Sequence, residues 1–188
     1  LGVPADIVYP VIPRVLRRFA AEYPRMRVTL ISSYTRRLRR LFDAGSCDII
    51  LTTEDEAGGG GETLLTLPLV WIGAPGGTAW RARPLPLAFE HNCIFRIGVQ
   101  QALDASGIPW VMAVESDSTR SIEASVSADL AVHALVEGAE PRYLERIAHG
   151  GALPELARTR INMYLGRTDQ GKPLAEMGAM IRMAFGAL

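Results

Sequence analysis

The groups in this sequence that could do chemistry are few and scattered. Three histidines, His91, His133 and His149, stand far apart, and none has a metal-binding partner at helical spacing. His149-Gly150-Gly151 faintly resembles an oxyanion loop, yet no Gly-x-Ser-x-Gly occurs to supply a nucleophile elbow. No carboxylate pair stands out for acid–base work. Cys93 falls where a helix begins, a position that favours thiolate, so a redox switch stays open. Its one possible partner, Cys47, reads as part of a strand in a different lobe, and a bridge demands close approach. The glycines at 58–61 read as a flexible surface loop, because no Lys-Ser/Thr follows them as in a phosphate-binding loop. This inventory points away from an enzyme, a metal or a cofactor, and towards binding.

Composition agrees. The 188 residues are 48% hydrophobic, enough for one mid-sized domain or two small lobes. Lys+Arg and Asp+Glu are both 20, and a neutral balance argues against direct binding of nucleic acid, which needs a cationic footprint. The arginines 36, 37, 39 and 40 read as a solvated helix face, with pairing to the Glu54-Asp55-Glu56 run as the lesser alternative. No apolar run is long enough to span a bilayer. Two cysteines make no disulfide framework and suit a reducing, cytoplasmic setting. The start, Leu1-Gly2-Val3-Pro4, has neither the basic region nor the apolar stretch of an export signal, and the missing Met fits a piece of a longer protein.

Periodicity supplies the elements that must position any site. Val8, Val11, Ile12, Val15, Leu16 and Phe19 recur at helical spacing, and propensity starts that helix near Pro13. Residues 27–31 read as a half-buried strand. Thr35 reads as the N-cap of a short helix with Leu38, Leu41 and Phe42 inside and Gly45 as its stop. Residues 48–52 read as a buried strand without alternation, as parallel strands require. A second series follows: a strand at 67–72, a Gly/Pro-rich connection at 73–86 in which Trp80 is the tryptophan most open to solvent, and a helix through Val99 and Leu103. Then come a strand at 109–114, a helix capped by Ser118, strands at 130–136 and 160–165, and a final helix opened by Pro173. Alternating helices and strands favour parallel sheets with right-handed crossovers.

The order and wording of these segments resemble the effector-binding (substrate-binding) domain of LysR-type transcriptional regulators. Ile12-Pro13-Arg14-Val15-Leu16 through Phe19 to Tyr23-Pro24 resembles that family's first helix. Val28-Thr29-Leu30, then Thr35, Leu38, Leu41 and Gly45, resemble its next strand and helix. Cys47-Asp48-Ile49-Ile50-Leu51 resembles its "LDLAI", Pro68-Leu69-Val70-Trp71-Ile72 its "EPLVLV", and Asp117-Ser118 through Val126, Leu130 and Val132 its "DS" helix and following strand. The resemblance spans nearly the whole chain. It departs at Asp129, where the family has glycine and where Asp must accept a left-handed backbone. It departs also at Asp6, which replaces a Ser or Thr; the family's first helix starts at about residue 6, earlier than propensity places it.

The resemblance implies an α/β protein of the two-lobed, type 2 periplasmic-binding-protein-like kind. Its sheets are mixed but mostly parallel, with a cleft between the lobes. Lobe I comprises residues 1–73 and 157–188, lobe II residues 74–156. Effector contacts are implied at Asp6 and Ile7, at Ser33, Tyr34 and Thr35, at Thr52 and Thr53, and from lobe II at Cys93, Phe95, Ser116 and Ser118. Thr35, Ser118 and Asp6 each have a plainer reading as helix caps. A carboxylate at Asp6 would repel a lone anion, so an effector with an amine or several hydroxyls is expected there. The implied partners are a small effector, further copies of the chain forming a dimer or tetramer, and DNA only through an N-terminal winged helix-turn-helix outside this sequence. Dimerisation is expected to set the first helix against a partner's helix near residues 93–106. The alternative is a solute-binding protein of a transport system, distinguishable by an export signal upstream.

Overall fold

The computed structural model describes residues 1–166 and 171–187. The chain divides into two compact units, Leu1–Leu67 with Thr159–Leu188, and Pro68–Arg158. The division falls within two strands rather than at the loop ends at 73/74 and 156/157 that the sequence suggested, since both strands run through it.

Unit 1 opens with β1 (Gly2–Val3), a 3-10 turn (Ala5–Ile7) and α1 (Val11–Glu22). It continues with β2 (Ile31–Ser32), α2 (Thr35–Asp43), β3 (Ile49–Glu54) and the first part of β4 (Gly61–Gly73). It closes with β9 (Arg158–Leu165) and α5 (Lys172–Phe185). β1 pairs in parallel with both β2 and β3, as alternating crossovers require. β9 is antiparallel to β3, with Thr52 opposite Asn162 and Ile50 opposite Tyr164. α2 lies close on the sheet because Gly2 has no side chain: a Cβ there would stand 2.8 Å from Leu38 Cδ2. Leu38, Cys47, Ile50 and Tyr164 form the core beneath it. α1 packs against α5, burying Val11, Ile12, Val15 and Phe19 of the one and Met177, Met180, Ile181 and Phe185 of the other.

Three expectations shift here. The first helix starts at Val11, because Pro4 to Pro10 is taken up by the 3-10 turn and its exit. The strand expected at 27–31 contracts to Ile31–Ser32, and Met26 and Leu30 stay exposed. Gly59 and Gly60 form the exposed turn expected of a surface loop, but the ends of the run are held. Gly61 begins β4, a side chain on it would collide with the Tyr164 ring, and Gly58 N–H donates to Tyr164 Oη at 2.8 Å.

Unit 2 contains the rest of β4, then β5 (Leu85–Glu90), α3 (Arg96–Ala105), β6 (Trp110–Ser116) and α4 (Thr119–Ser127), followed by β7 (His133–Val136) and β8 (Glu145–Arg146). β5 and β6 are parallel, β7 meets β5 through the Leu87–Val132 bridge, and β4 pairs antiparallel with β7 and β8. Helices cover both faces. Leu85, Leu87 and Phe89 meet Val99 and Leu103 of α3, while Ala88 meets Ile122 and Val126 of α4. β5 was absent from the sequence reading because Pro86 sits inside it and its apolar run is short. The strand expected at 130–136 begins only at His133, with Leu130 60% exposed. Trp80 is half-buried against the core under the Arg81 guanidinium, 4.8 Å from its ring centroid, rather than open.

Asp129 resolves its departure from the family pattern. Its φ is 55°, the left-handed conformation expected of it. Its carboxylate accepts the backbone N–H of Thr78 at 2.8 Å and of Ala79 at 3.0 Å, which a glycine cannot do.

Candidate functional site

The expected residues of unit 1 gather at the carboxyl ends of its parallel strands. Val3 ends β1, and Asp6 and Ile7 lie in the turn just beyond it. Ser33 follows β2 and donates its N–H to Val3 O at 3.2 Å. Thr52 and Thr53 lie towards the end of β3. Loops and helix starts beyond carboxyl strand ends are where open α/β sheets hold ligands.

Thr35 is not the N-cap. Tyr34 holds that position, without a side-chain cap, and Thr35 is the first helical residue. Its hydroxyl serves the sheet instead, accepting Thr53 N–H at 3.1 Å and lying 3.3 Å from Thr53 Oγ1. The bond pins the start of α2 to β3. Thr35, Thr52 and Thr53 are all buried, at 6, 0 and 1% exposure. Asp6, Ser33 and Tyr34 are half-buried, and Ile7 is buried.

Beside this cluster stands a residue the sequence reading did not single out. Asn162 of β9, fully buried, accepts the Thr63 hydroxyl on its Oδ1 at 2.8 Å. Neither its Nδ2 nor Thr52 Oγ1 finds a hydrogen-bond partner among the described residues. An asparagine between Ile161 and Met163, in the apolar half of a strand, was the available signal. Nearby, Arg39 stacks over Tyr164 at 4.0 Å from its centroid and lies 3.6 Å from Glu54, so one of the four arginines takes the lesser alternative of pairing with the acidic run.

In unit 2 the expected residues again follow strand carboxyl ends. Ser116 ends β6, and its Oγ accepts Ser118 N–H at 3.1 Å. Ser118 is the N-cap residue of α4 by position, but its own hydroxyl makes no capping bond. Cys93 donates its N–H to Glu90 O at 3.2 Å after β5, and Phe95 is the N-cap residue of α3. Phe95 is buried, Cys93 and Ser116 half-buried, Ser118 exposed. His91 Nδ1 lies 3.2 Å from Asp117, and Arg96 lies 2.6 Å from Glu115, flanking these helix starts with charge. Beneath them His133 is buried, its Nδ1 2.7 Å from Ala88 O, and burial pushes its pKa below the usual value against the pull of Glu90.

A cavity of about 340 Å³ lies at the other, amino end of unit 1's strands, lined by Leu1, Phe19, Met26, Thr29, Ile49 and Met177 among others. It includes none of the expected site residues. The hydroxyl-bearing residues are at the carboxyl ends instead.

Both units are mixed α/β layers in which hydroxyls stand at or beside the starts of helices that follow parallel strands. The chain belongs to the LysR substrate binding domain family, whose pattern it matches over residues 1–183. It is similar to the HTH-type transcriptional regulator DgdR of Burkholderia cepacia, 26% identical over 182 residues, which is 96% of this chain and 62% of that protein. The chain therefore spans less than two thirds of that relative. The fold is that of the effector binding domain of a BenM variant (TM-score 0.70, 12% identity, 99% of this chain and 93% of that one). It is also that of the Synechocystis PCC6803 CcmR regulatory domain, solved in complex with 2-PG (TM-score 0.71, 15% identity, 97% and 95%). Among the described residues no helix is long and apolar enough to cross a membrane.

Proposed function

We propose that this chain is the sensing portion of a LysR-type transcriptional regulator and does no catalysis itself. Effector contacts are proposed in unit 1 at Asp6, Ile7, Ser33, Tyr34, Thr35, Thr52 and Thr53, and in unit 2 at Cys93, Phe95, Ser116 and Ser118. The observation that carries this reading is the Thr35–Thr53 pair, which ties a helix amino end to a strand carboxyl end. Free N–H groups and the helix dipole gather at such an end, and hydroxyls can donate or accept without filling the space. Binding shifts the protein between conformations only by its differential affinity for them, and the shift reaches DNA through a separate N-terminal domain. The protein acts in the cytoplasm as a dimer or tetramer. α1, together with α3 of a second copy, is the proposed contact, and Ile97 on α3 is 61% exposed.

Half-buried Asp6 calls for an effector carrying an amine or several hydroxyls beside it. Titrating amine-bearing and neutral polyol ligands into wild type and Asp6→Ser checks this. The variant is expected to lose about tenfold in affinity for an amine ligand, within the range for hydrogen bonds to charged groups. Unchanged affinity rejects the contact. The wider reading is checked on the full-length gene product: a helix-turn-helix of roughly 60–90 residues upstream supports it, and an export signal there overturns it in favour of transport.

A further inference from the structure

Thr52 and Asn162 face one another across β3 and β9, and their spare polar atoms are buried without partners among the described residues. Their neighbours on the same strand faces, Ile50 and Tyr164, pack into the apolar core under α2. Two apolar side chains would serve that layer better, since a buried donor left unpaired forfeits its hydration for nothing.

Asn162 is also held in one orientation. β9 lies between β3 and β4 in the sheet. The amide oxygen is engaged on the β4 side by the Thr63 hydroxyl, which leaves Nδ2 for the β3 side, where Thr52 stands. The pair therefore offers amide N–H and hydroxyl O–H donors next to each other. They stand one residue from Thr53 and the Thr35 hydroxyl that marks the start of α2. No fixed cation or acidic group is part of the pair.

We infer that Asn162 Nδ2 and Thr52 Oγ1 form a donor pair for the carboxylate of the effector, with Thr63 as the positioning residue that aims the amide. The inference rests on the proposed effector site and narrows its ligand class. Two adjacent donors match the two oxygens of a carboxylate, and the nearby helix amino end favours negative charge. Burial makes the pair selective: a ligand lacking the acceptor leaves both donors unpaired in a site shielded from water. Together with the amine or hydroxyls expected at Asp6, this describes a small acid substituted at its other end.

Calorimetric titration of the 188-residue chain tests the pair. The probes are carboxylates of two to five carbons, plain, hydroxylated and aminated, each against its own amide. At least one acid is expected to bind about tenfold or more tightly than its amide. Asn162→Leu and Thr52→Val are expected to weaken that acid by about tenfold or more while the melting temperature without ligand holds or rises. Thr63→Val is expected to weaken it less, since the amide keeps its donors and loses only its aim. If Asn162→Leu and Thr52→Val raise the melting temperature and leave affinity within about twofold, the pair is only an internal polar contact and the inference fails. If neutral polyols bind and no acid does, the carboxylate class fails while the effector site stands. If an acid binds and is indifferent to Thr35, Thr53 and Asn162 substitutions alike, the site itself is wrong.

Discussion

The proposed site residues of unit 1 and of unit 2 stand at matching places, yet they are built on opposite terms. Thr35 and Thr53 are buried and bonded to each other, while Ser118 is exposed with its hydroxyl making no capping bond. In unit 1 the same hydroxyls that face the proposed ligand also hold α2 on β3, so recognition and stability share atoms. In unit 2 the helix starts stand over an apolar core that does the holding, through Leu85, Leu87 and Phe89 against Val99 and Leu103. The difference teaches that a substitution in unit 1 must be separated into folding and binding effects, whereas one at Ser118 reads on binding alone.

The largest effect that sharpens this contrast is at Leu38, fully buried over Gly2 and Ile50. Leu38→Ala is expected to cost about 2–5 kcal/mol in denaturant unfolding. Leu130→Ala in unit 2, 60% exposed, is expected to change stability by less than about 0.5 kcal/mol. Next comes Thr35→Val, which keeps the shape but leaves Thr53 N–H buried without its acceptor, at about 1–3 kcal/mol. Ser118→Ala, by contrast, removes no bond and is expected to stay within about 0.5 kcal/mol. Equal costs at Thr35 and Ser118 would break the comparison.

A smaller effect of opposite sign separates the units' glycines. Gly98 lies inside α3 with open space where a Cβ would go, so Gly98→Ala is expected to raise stability by about 0.5–1 kcal/mol. Gly61→Ala drives a methyl into the buried Tyr164 ring, which is held by Gly58, and is expected to lower stability. Thermal melts of the two variants give the signs directly.

How much of this was legible depends on which interactions wrote the pattern. The helix through Val15 and Phe19, the buried strand at Ile49 to Leu51 and the helix after Ser118 were readable, because burial imposes a period on residue type. The strand at Leu85 to Glu90 was not, since Pro86 reads as a breaker until its place in the sheet is known. Thr35 was misplaced by one position: a hydroxyl before a helix looks like a cap, and only the fold shows that Thr53 takes its lone pair. Asn162 and Thr63 were invisible as a pair, for their bond joins residues 99 apart in sequence. Asp129 was half legible. The left-handed backbone followed from the family's glycine, but the two N–H groups its carboxylate holds did not.

The gentlest test concerns acid, and it falls on two groups of unit 2. His133 is buried with its pKa pushed down by the loss of solvent, so the folded protein prefers the neutral ring. Above about pH 6.5 the ring is neutral in both states and contributes no slope. Below that the unfolded chain takes up a proton the fold refuses, so stability declines as pH falls from there towards the folded pKa. Asp129 works lower down. The N–H groups of Thr78 and Ala79 hold its carboxyl below its ordinary value, so its contribution is present above the unfolded carboxylate pKa and is lost as pH falls through the folded one. Because Asp129 is only half-buried whereas His133 is buried, its share is the smaller of the two. Melting temperatures from pH 7.5 down to pH 2.5 are expected to show two separate declines in wild type, with His133→Gln and Asp129→Gly as the two tests. The first, below 6.5, should vanish in His133→Gln. The second, below about 4, should vanish in Asp129→Gly, and a single shared transition in both variants would mean that acid acts elsewhere in the molecule.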